Sequence, residues 1–145
     1  MVISHLNIKL IEDRLGFINN ALARLKKLSS YSEHDFLNND NPAVAESYLR
    51  RSLEAIFDIG RHVIAKSARK GIIEYKEIAK ALGEEGVVSK ECADNLILMA
   101  GYRNRLIHFY HEIEEKELYS ILKENLGDIE RFVKEIMAFI KALKE

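Results

Sequence analysis

The chain reads as an all-α protein, an antiparallel bundle of four long helices plus one short helix. Three observations predict this. Apolar residues recur at steps of three and four along almost the whole length. No segment alternates apolar and polar residues as a half-buried strand would. The connections are short and polar, which makes neighbouring helices run in opposite directions. With 145 residues, 48% of them hydrophobic, the chain is one domain, residues 1–145, with enough apolar side chains for a real core.

Taken in order, Ile11, Leu15, Ile18, Leu22 and Leu25 step by four and three, so the first helix runs from Ile8 to Leu28. "SSYSEHDFLNNDNP" is polar and turn-rich and reads as a loop. Asn41-Pro42 starts the next helix: Asn accepts from free N–H groups, and Pro sits where its missing N–H costs nothing. Leu49, Leu53, Ile56, Ile59 and Val63 form its apolar side, and Gly71 suits its end or the turn beyond. Glu54, Asp58, Arg61 and His62 on the same helix read as a solvated face with helical ion pairs. The short helix "EYKEIAKAL" closes at Gly83, and Gly86 marks a turn. Ser89 can cap the following helix. The last stripe, Ile121, Leu122, Ile129, Val133, Ile136 and Ile140, spans Leu118 to Leu143, with Gly127 placed to kink or split it.

Charge bounds the function. Lys and Arg number 22 against 23 Asp and Glu, a net charge of −1, which argues against coating nucleic acid through bulk charge. RNA contact would need a local basic patch. The single cysteine, Cys92, cannot form an internal disulfide and reads as a small buried hydrophobe in a reducing cytosol. The N-terminus lacks a signal peptide's basic start and apolar core, and no apolar run approaches the roughly 20 residues that span a bilayer. A cytoplasmic protein without membrane contact is expected.

The chemistry gathers in "MAGYRNRLIHFYHEI", residues 99–113. On a helical wheel with Met99 at zero, Tyr102, Leu106, Phe109 and Ile113 fall between roughly 280° and 340° and form a core stripe. Tyr110 and Arg103 follow at about 20° and 40°; Ile107, Ala100, His111, Asn104 and His108 fan out to about 180°. The ionisable groups thus share one flank with an isoleucine and an alanine, as a semi-buried surface facing another helix or a second subunit would. Arg105 and Glu112 lie opposite and read as ordinary surface.

Each residue admits a plainer role. Arg103 could pair with an acidic residue of a neighbouring helix, His108 could be a surface histidine, and Tyr110 a boundary aromatic. His108 and His111 could hold a metal with Glu112 or Glu115, although two histidines are a weak metal signal. Jointly, a histidine that titrates near neutrality and a guanidinium that grips phosphate suit cleavage of an RNA phosphodiester. Arg103 and His108 lie about 140° apart on the wheel, too far for one helix to aim both at one point. A two-fold homodimer with two such flanks facing each other solves this and doubles the local positive charge.

"RNRLIHFY" resembles the Arg-x(4–6)-His-x-Tyr signature of the HEPN superfamily, with Asn directly after the Arg. "LRRSLEAIFDIGRHVIAK" and "LILMAGYRNRLIHFYHEI" look more narrowly like HepT-type toxins, and the likeness covers nearly the whole chain. The resemblance implies a metal-independent endoribonuclease toxin of a type II toxin–antitoxin system, needing no cofactor, with its cleft at a homodimer interface. It implies catalytic roles for Arg103 and His108, a supporting role for Asn104, and Tyr110 as the site where an MntA-like nucleotidyltransferase antitoxin transfers AMP. tRNA is the substrate the family suggests. His111 lies outside the pattern. The competing expectation is a non-catalytic, nucleotide-binding helical partner subunit of a nucleotidyltransferase; a helical dimer without a ligand is the third.

Overall fold

The computed structural model describes residues 5–67, 69, 71–107 and 113–144. Seven helices follow one another there: α1 (Ile8–Ser29), α2 (Glu33–Phe36), α3 (Asn41–Ala65), α4 (Tyr75–Glu84), α5 (Lys90–Leu106), α6 (Glu115–Glu124) and α7 (Leu126–Lys144). Among the described residues there is no strand, and no helix is long and apolar enough to cross a membrane.

The predicted stripes are the buried ones. Ile11, Ile18 and Leu25 of α1, Leu53, Ile56 and Ile59 of α3, and Ile136 of α7 are fully buried in one core. Burying such side chains is worth about 1.5–3 kcal/mol each, which holds helices of this length together in water. Ion pairs and stacked side chains fix the directions. Arg14 meets Asp58, Phe17 meets Arg51 and Arg24 meets Tyr48, so α1 and α3 run antiparallel. Arg131 meets Glu91 while Glu135 meets Ser89, so α5 and α7 do too.

Local chemistry sets the ends. The Asn7 side chain caps α1 by accepting from Leu10 N–H at 3.1 Å, and Ser89 caps α5 by accepting from Cys92 N–H at 3.1 Å. Glu135 of α7 accepts from both the Ser89 N–H (2.6 Å) and its hydroxyl (3.0 Å), which ties the start of α5 to the last helix. Gly86, at φ +72°, takes the left-handed turn between α4 and α5. Helices α4 and α5 cross at Gly83, where a Cβ would stand 2.6 Å from that of Ala93, and α4 meets α3 at Gly60, where a Cβ would stand 2.9 Å from Ile78 Cγ2.

Three sequence expectations are corrected. The segment after α1 is not all loop: Ser32 accepts from Asp35 N–H at 3.1 Å and starts the single turn of α2, which buries Phe36. Asn41 does not cap α3. It is the helix's first residue, and its amide donates to Asp35 O at 3.0 Å because α2 brings that carbonyl near; Asp40 stands at the cap position without a side-chain bond. The last stripe is split into two helices, one of the two expected outcomes, but not at Gly127. The break falls at Asn125, whose amide donates to Asp128 at 3.0 Å, and Gly127 lies in the first turn of α7.

Candidate active site

Helix α5 delivers the first half of the motif. Arg103 and Asn104 lie in its last turn; the helix ends at Leu106, and Ile107 caps it with its N–H on Arg103 O at 3.2 Å. His108, Tyr110 and His111, with Phe109 and Glu112, lie outside the described residues. The wheel drawn through residue 113 therefore stands only as far as Leu106. Within that range Met99 and Leu106 enter the core as expected, and Tyr102 is half-buried. Ala100 is fully buried inside the chain, so it needs no second subunit to cover it, whereas Ile107 is 47% exposed. Arg105 is no ordinary surface residue: both its terminal nitrogens bind the Glu117 carboxylate, at 2.7 and 2.6 Å, and clasp α5 to α6. That guanidinium holds the Glu117 carboxyl below its usual range.

Arg103 sits in a cradle of three residues from three helices. Its Nε donates to Glu54 Oε1 of α3 at 2.5 Å. The Tyr75 hydroxyl, from the first residue of α4, donates to the other Glu54 oxygen at 2.9 Å. The Arg103 guanidinium carbon lies 4.0 Å from the Tyr75 ring centroid, and that ring stacks on Phe57 at 4.9 Å. Asn104 Oδ1 accepts from Arg103 Nη1 at 3.2 Å. Among the described residues Nη2 makes no hydrogen bond, so the guanidinium is gripped on one edge and one face with an edge left for a ligand. The Arg103 side chain is 19% exposed and Glu54 31%. Water is partly excluded there, which strengthens the pair without isolating it.

The plainer role for Arg103, pairing with an acid on a neighbouring helix, is therefore present, and it is compatible with catalysis. A guanidinium has five donors in a fixed fork; one carboxylate holds it in place and does not use it up. The solvated-face reading of Glu54, Asp58, Arg61 and His62 holds only in part. Asp58 and Arg61 form the expected pair at 3.3 Å, and Asp58 also meets Arg14 at 3.2 Å. Glu54 instead reaches across to the motif, and His62 Nε2 accepts from Asn7 N–H at 2.8 Å, with burial and then Lys66 lowering its pKa. Glu54 and Tyr75 are the site residues that sequence reasoning missed. Tyr75 carried no signal at all, and Glu54 only its position on α3 among other charges.

Cys92, as expected, is buried. Burial first, with Glu135 adding to it, pushes the thiol up to about 12, so it is an inert packing group.

An all-α bundle that holds the arginine of an Arg-x4-His-x-Tyr motif at the end of a helix has the fold and motif placement expected of a HepT-like ribonuclease. A family model, described as Ribonuclease HepT-like, matches residues 18–136, and the chain belongs to that family. It is similar to a tRNA nuclease HepT of Aphanizomenon flos-aquae, 27% identical over 138 residues, covering 94% of this chain and 93% of the relative. It is also similar to an mRNA nuclease HepT of Shewanella oneidensis, 26% identical over 133 residues, covering 89% and 97%. In fold it matches the cytosolic protein YutE of Bacillus subtilis at a TM-score of 0.82, with 24% identity over 95% and 93% of the two chains. It matches a tri-AMPylated HEPN toxin of Shewanella oneidensis, solved with its MNT antitoxin, at a TM-score of 0.76, with 24% identity over 89% and 97%. Nuclease relatives along nearly the full length favour an endoribonuclease over a non-catalytic partner subunit.

Proposed function

We propose that the chain is the toxin of a toxin–antitoxin pair, a metal-independent endoribonuclease working as a homodimer, silenced when an MntA-like nucleotidyltransferase transfers AMP to Tyr110. The observation that carries this reading is the Arg103 cradle: a largely buried arginine, oriented by Glu54 and Tyr75, whose Nη2 makes no hydrogen bond among the described residues. A phosphate oxygen at Nη2 would receive a charge-assisted hydrogen bond, which strengthens as charge builds up on the phosphorane.

In the proposed reaction the 2′-oxygen attacks the adjacent phosphorus while His108 takes the 2′-OH proton. The bond from phosphorus to the 5′-oxygen breaks, and the second copy's His108 gives that oxygen a proton. The products are a 2′,3′-cyclic phosphate and a 5′-hydroxyl. Two imidazoles supply base and acid, so no metal is required. Asn104, bonded to Arg103, supports the guanidinium. AMP on Tyr110 would bring bulk and negative charge into the cleft and repel the RNA backbone. The relatives named for cleaving tRNA and mRNA, and the AMPylated toxin of like fold, support this reading.

The test is incubation of the purified protein with total RNA in excess EDTA, with end-group analysis of the fragments. Cleavage leaving 2′,3′-cyclic phosphates, abolished by Arg103→Ala or His108→Ala, is expected. Activity that EDTA removes and a divalent ion restores would overturn the metal-independent mechanism. A monomer at micromolar concentration by light scattering would overturn the two-copy cleft.

A further inference from the structure

The outer face shared by α1 and α3 carries a second feature, next to the Arg103 cradle and sharing Glu54 with it. Tyr48, Arg51, Glu54, Asp58 and Arg61 recur every three or four residues along α3 and form one stripe. The Arg51 guanidinium carbon lies 5.3 Å from the Phe17 ring centroid and 5.1 Å from that of Tyr48; Arg24 stands 5.9 Å from the Tyr48 centroid. Beside them a groove of about 310 Å³ runs along the helices, lined by Arg14, Phe17, Arg51, Glu54 and Asp58, with Asp13 and Ala55. Glu54 thus forms a wall of this groove and also holds Arg103.

The charges along this face, counting the arginines beside the groove as well as those lining it, are unevenly compensated. Arg103 offsets Glu54, and Arg14 and Arg61 offset Asp58. Among the described residues Arg24 and Arg51 form no ion pair, and neither does Asp13, the remaining carboxylate of the groove lining. Two guanidinium groups without an ion pair, each 5.1–5.9 Å from an aromatic ring centroid, have the chemistry of a single-strand platform: the planes stack bases and the N–H edges meet phosphates. From Tyr48 to Glu54 the helix rises about 9 Å, roughly the span of two to three stacked nucleotides. We propose that this α1–α3 face is a track for the single-stranded RNA next to the scissile bond, with Arg51 as its central contact and Arg24 beyond it. A second copy centred on the same face by two-fold symmetry would set these arginines against themselves, a like-charge contact, which favours a polyanion as the occupant.

The proposal rests on the nuclease reading, but its test does not need cleavage. The probe is a fluorescein-labelled, 2′-O-methylated oligouridylate, which has no 2′-OH to react, titrated at several salt concentrations. Arg51→Ala is expected to weaken binding about 5- to 20-fold, the lower part of the range for one lost stacking platform, and to lower the salt slope by about 0.7. Arg24→Ala/Arg51→Ala is expected to go further, and Arg51→Lys to keep the salt slope while losing part of the affinity. Lys80→Ala, removing the same charge from the exposed side of α4, should leave binding as it was. Arg51→Ala binding with wild-type affinity and slope would overturn the track. So would an Arg51→Ala protein that loses binding because it no longer dimerises by light scattering. A wild type that binds through Arg51 and cleaves no RNA would overturn the nuclease reading and leave the track standing.

Discussion

Replacing Glu54 by glutamine and by alanine separates the two things its carboxylate supplies, position and charge. Glu54→Gln can keep the whole arrangement: the new carbonyl accepts from Arg103 Nε, and the new amide donates to the Tyr75 oxygen, whose hydroxyl turns away. Only charge assistance is lost, about 1 kcal/mol. Glu54→Ala removes both bonds and, among the described residues, leaves Arg103 to Asn104 and the Tyr75 ring. Hydrogen bonds to charged groups contribute about 1.5–3 kcal/mol, and with Glu54 31% exposed the lower half of that range applies, about 2 kcal/mol. At about 2–4 °C per kcal/mol for a domain of this size, the alanine variant should melt about 4–8 °C lower and the glutamine variant about 2–4 °C lower. Activity should divide more sharply. A guanidinium free to swing no longer meets the phosphorane, so kcat for Glu54→Ala should fall about 10- to 100-fold, whereas Glu54→Gln should stay within about threefold. The assay is single-turnover cleavage of a labelled RNA beside a thermal melt. An alanine variant that melts low but cleaves at the wild-type rate would show that Glu54 is structural only. A glutamine variant as poor as alanine would show that its charge, rather than its geometry, is what the reaction uses.

Tyr110→Phe should retain much of the nuclease activity yet escape neutralisation on co-expression with the cognate nucleotidyltransferase; intact-mass analysis finding AMP on the wild type at another residue would refute that assignment. Gly83→Ala puts a methyl 2.6 Å from Ala93 Cβ, which the backbone holds fixed, so a loss of about 1–3 kcal/mol and a correspondingly lower melting temperature are expected. His62 gives a pH signature. Its folded pKa lies below 6.5, so its bond from Asn7 adds stability above that value and loses it as pH falls through the folded pKa. His62→Gln, whose carbonyl can accept the same N–H, should therefore lose less melting temperature than the wild type between pH 7 and pH 5.

What was legible in the sequence followed how local its physics is. The stripes of α1 and α3 and the Ser89 cap depend on residues a few positions apart, and their periods survive folding unchanged. Helix α2 was illegible because a four-residue helix has too little period to display. Asn41 was misread because its partner, the Asp35 carbonyl, is placed by that unseen turn. In the site, Arg103 and Asn104 stood out through residue type and spacing. Glu54 did not, because it lies 49 residues from Arg103 and only the packing of α3 beside α5 brings them to 2.5 Å. The wheel also ran the motif through one continuous helix, whereas α5 closes at Leu106, between the Arg and the His.

Tyr75 opens α4, and the seating of α4 on its neighbours depends on two glycines at close crossings. That arrangement enlarges the genetic target of this protein. A selection for cells that survive its expression would be expected to return alleles at Arg103 and His108, but a larger class should fall along α4 and the residues that seat it. At Gly60, where any side chain would collide with Ile78 and Leu82, a substitution lifts α4 and carries the Tyr75 ring away from the arginine it supports. Such alleles would express a folded, weakly stable protein with every motif residue intact, and sequencing the motif alone would score them as toxic.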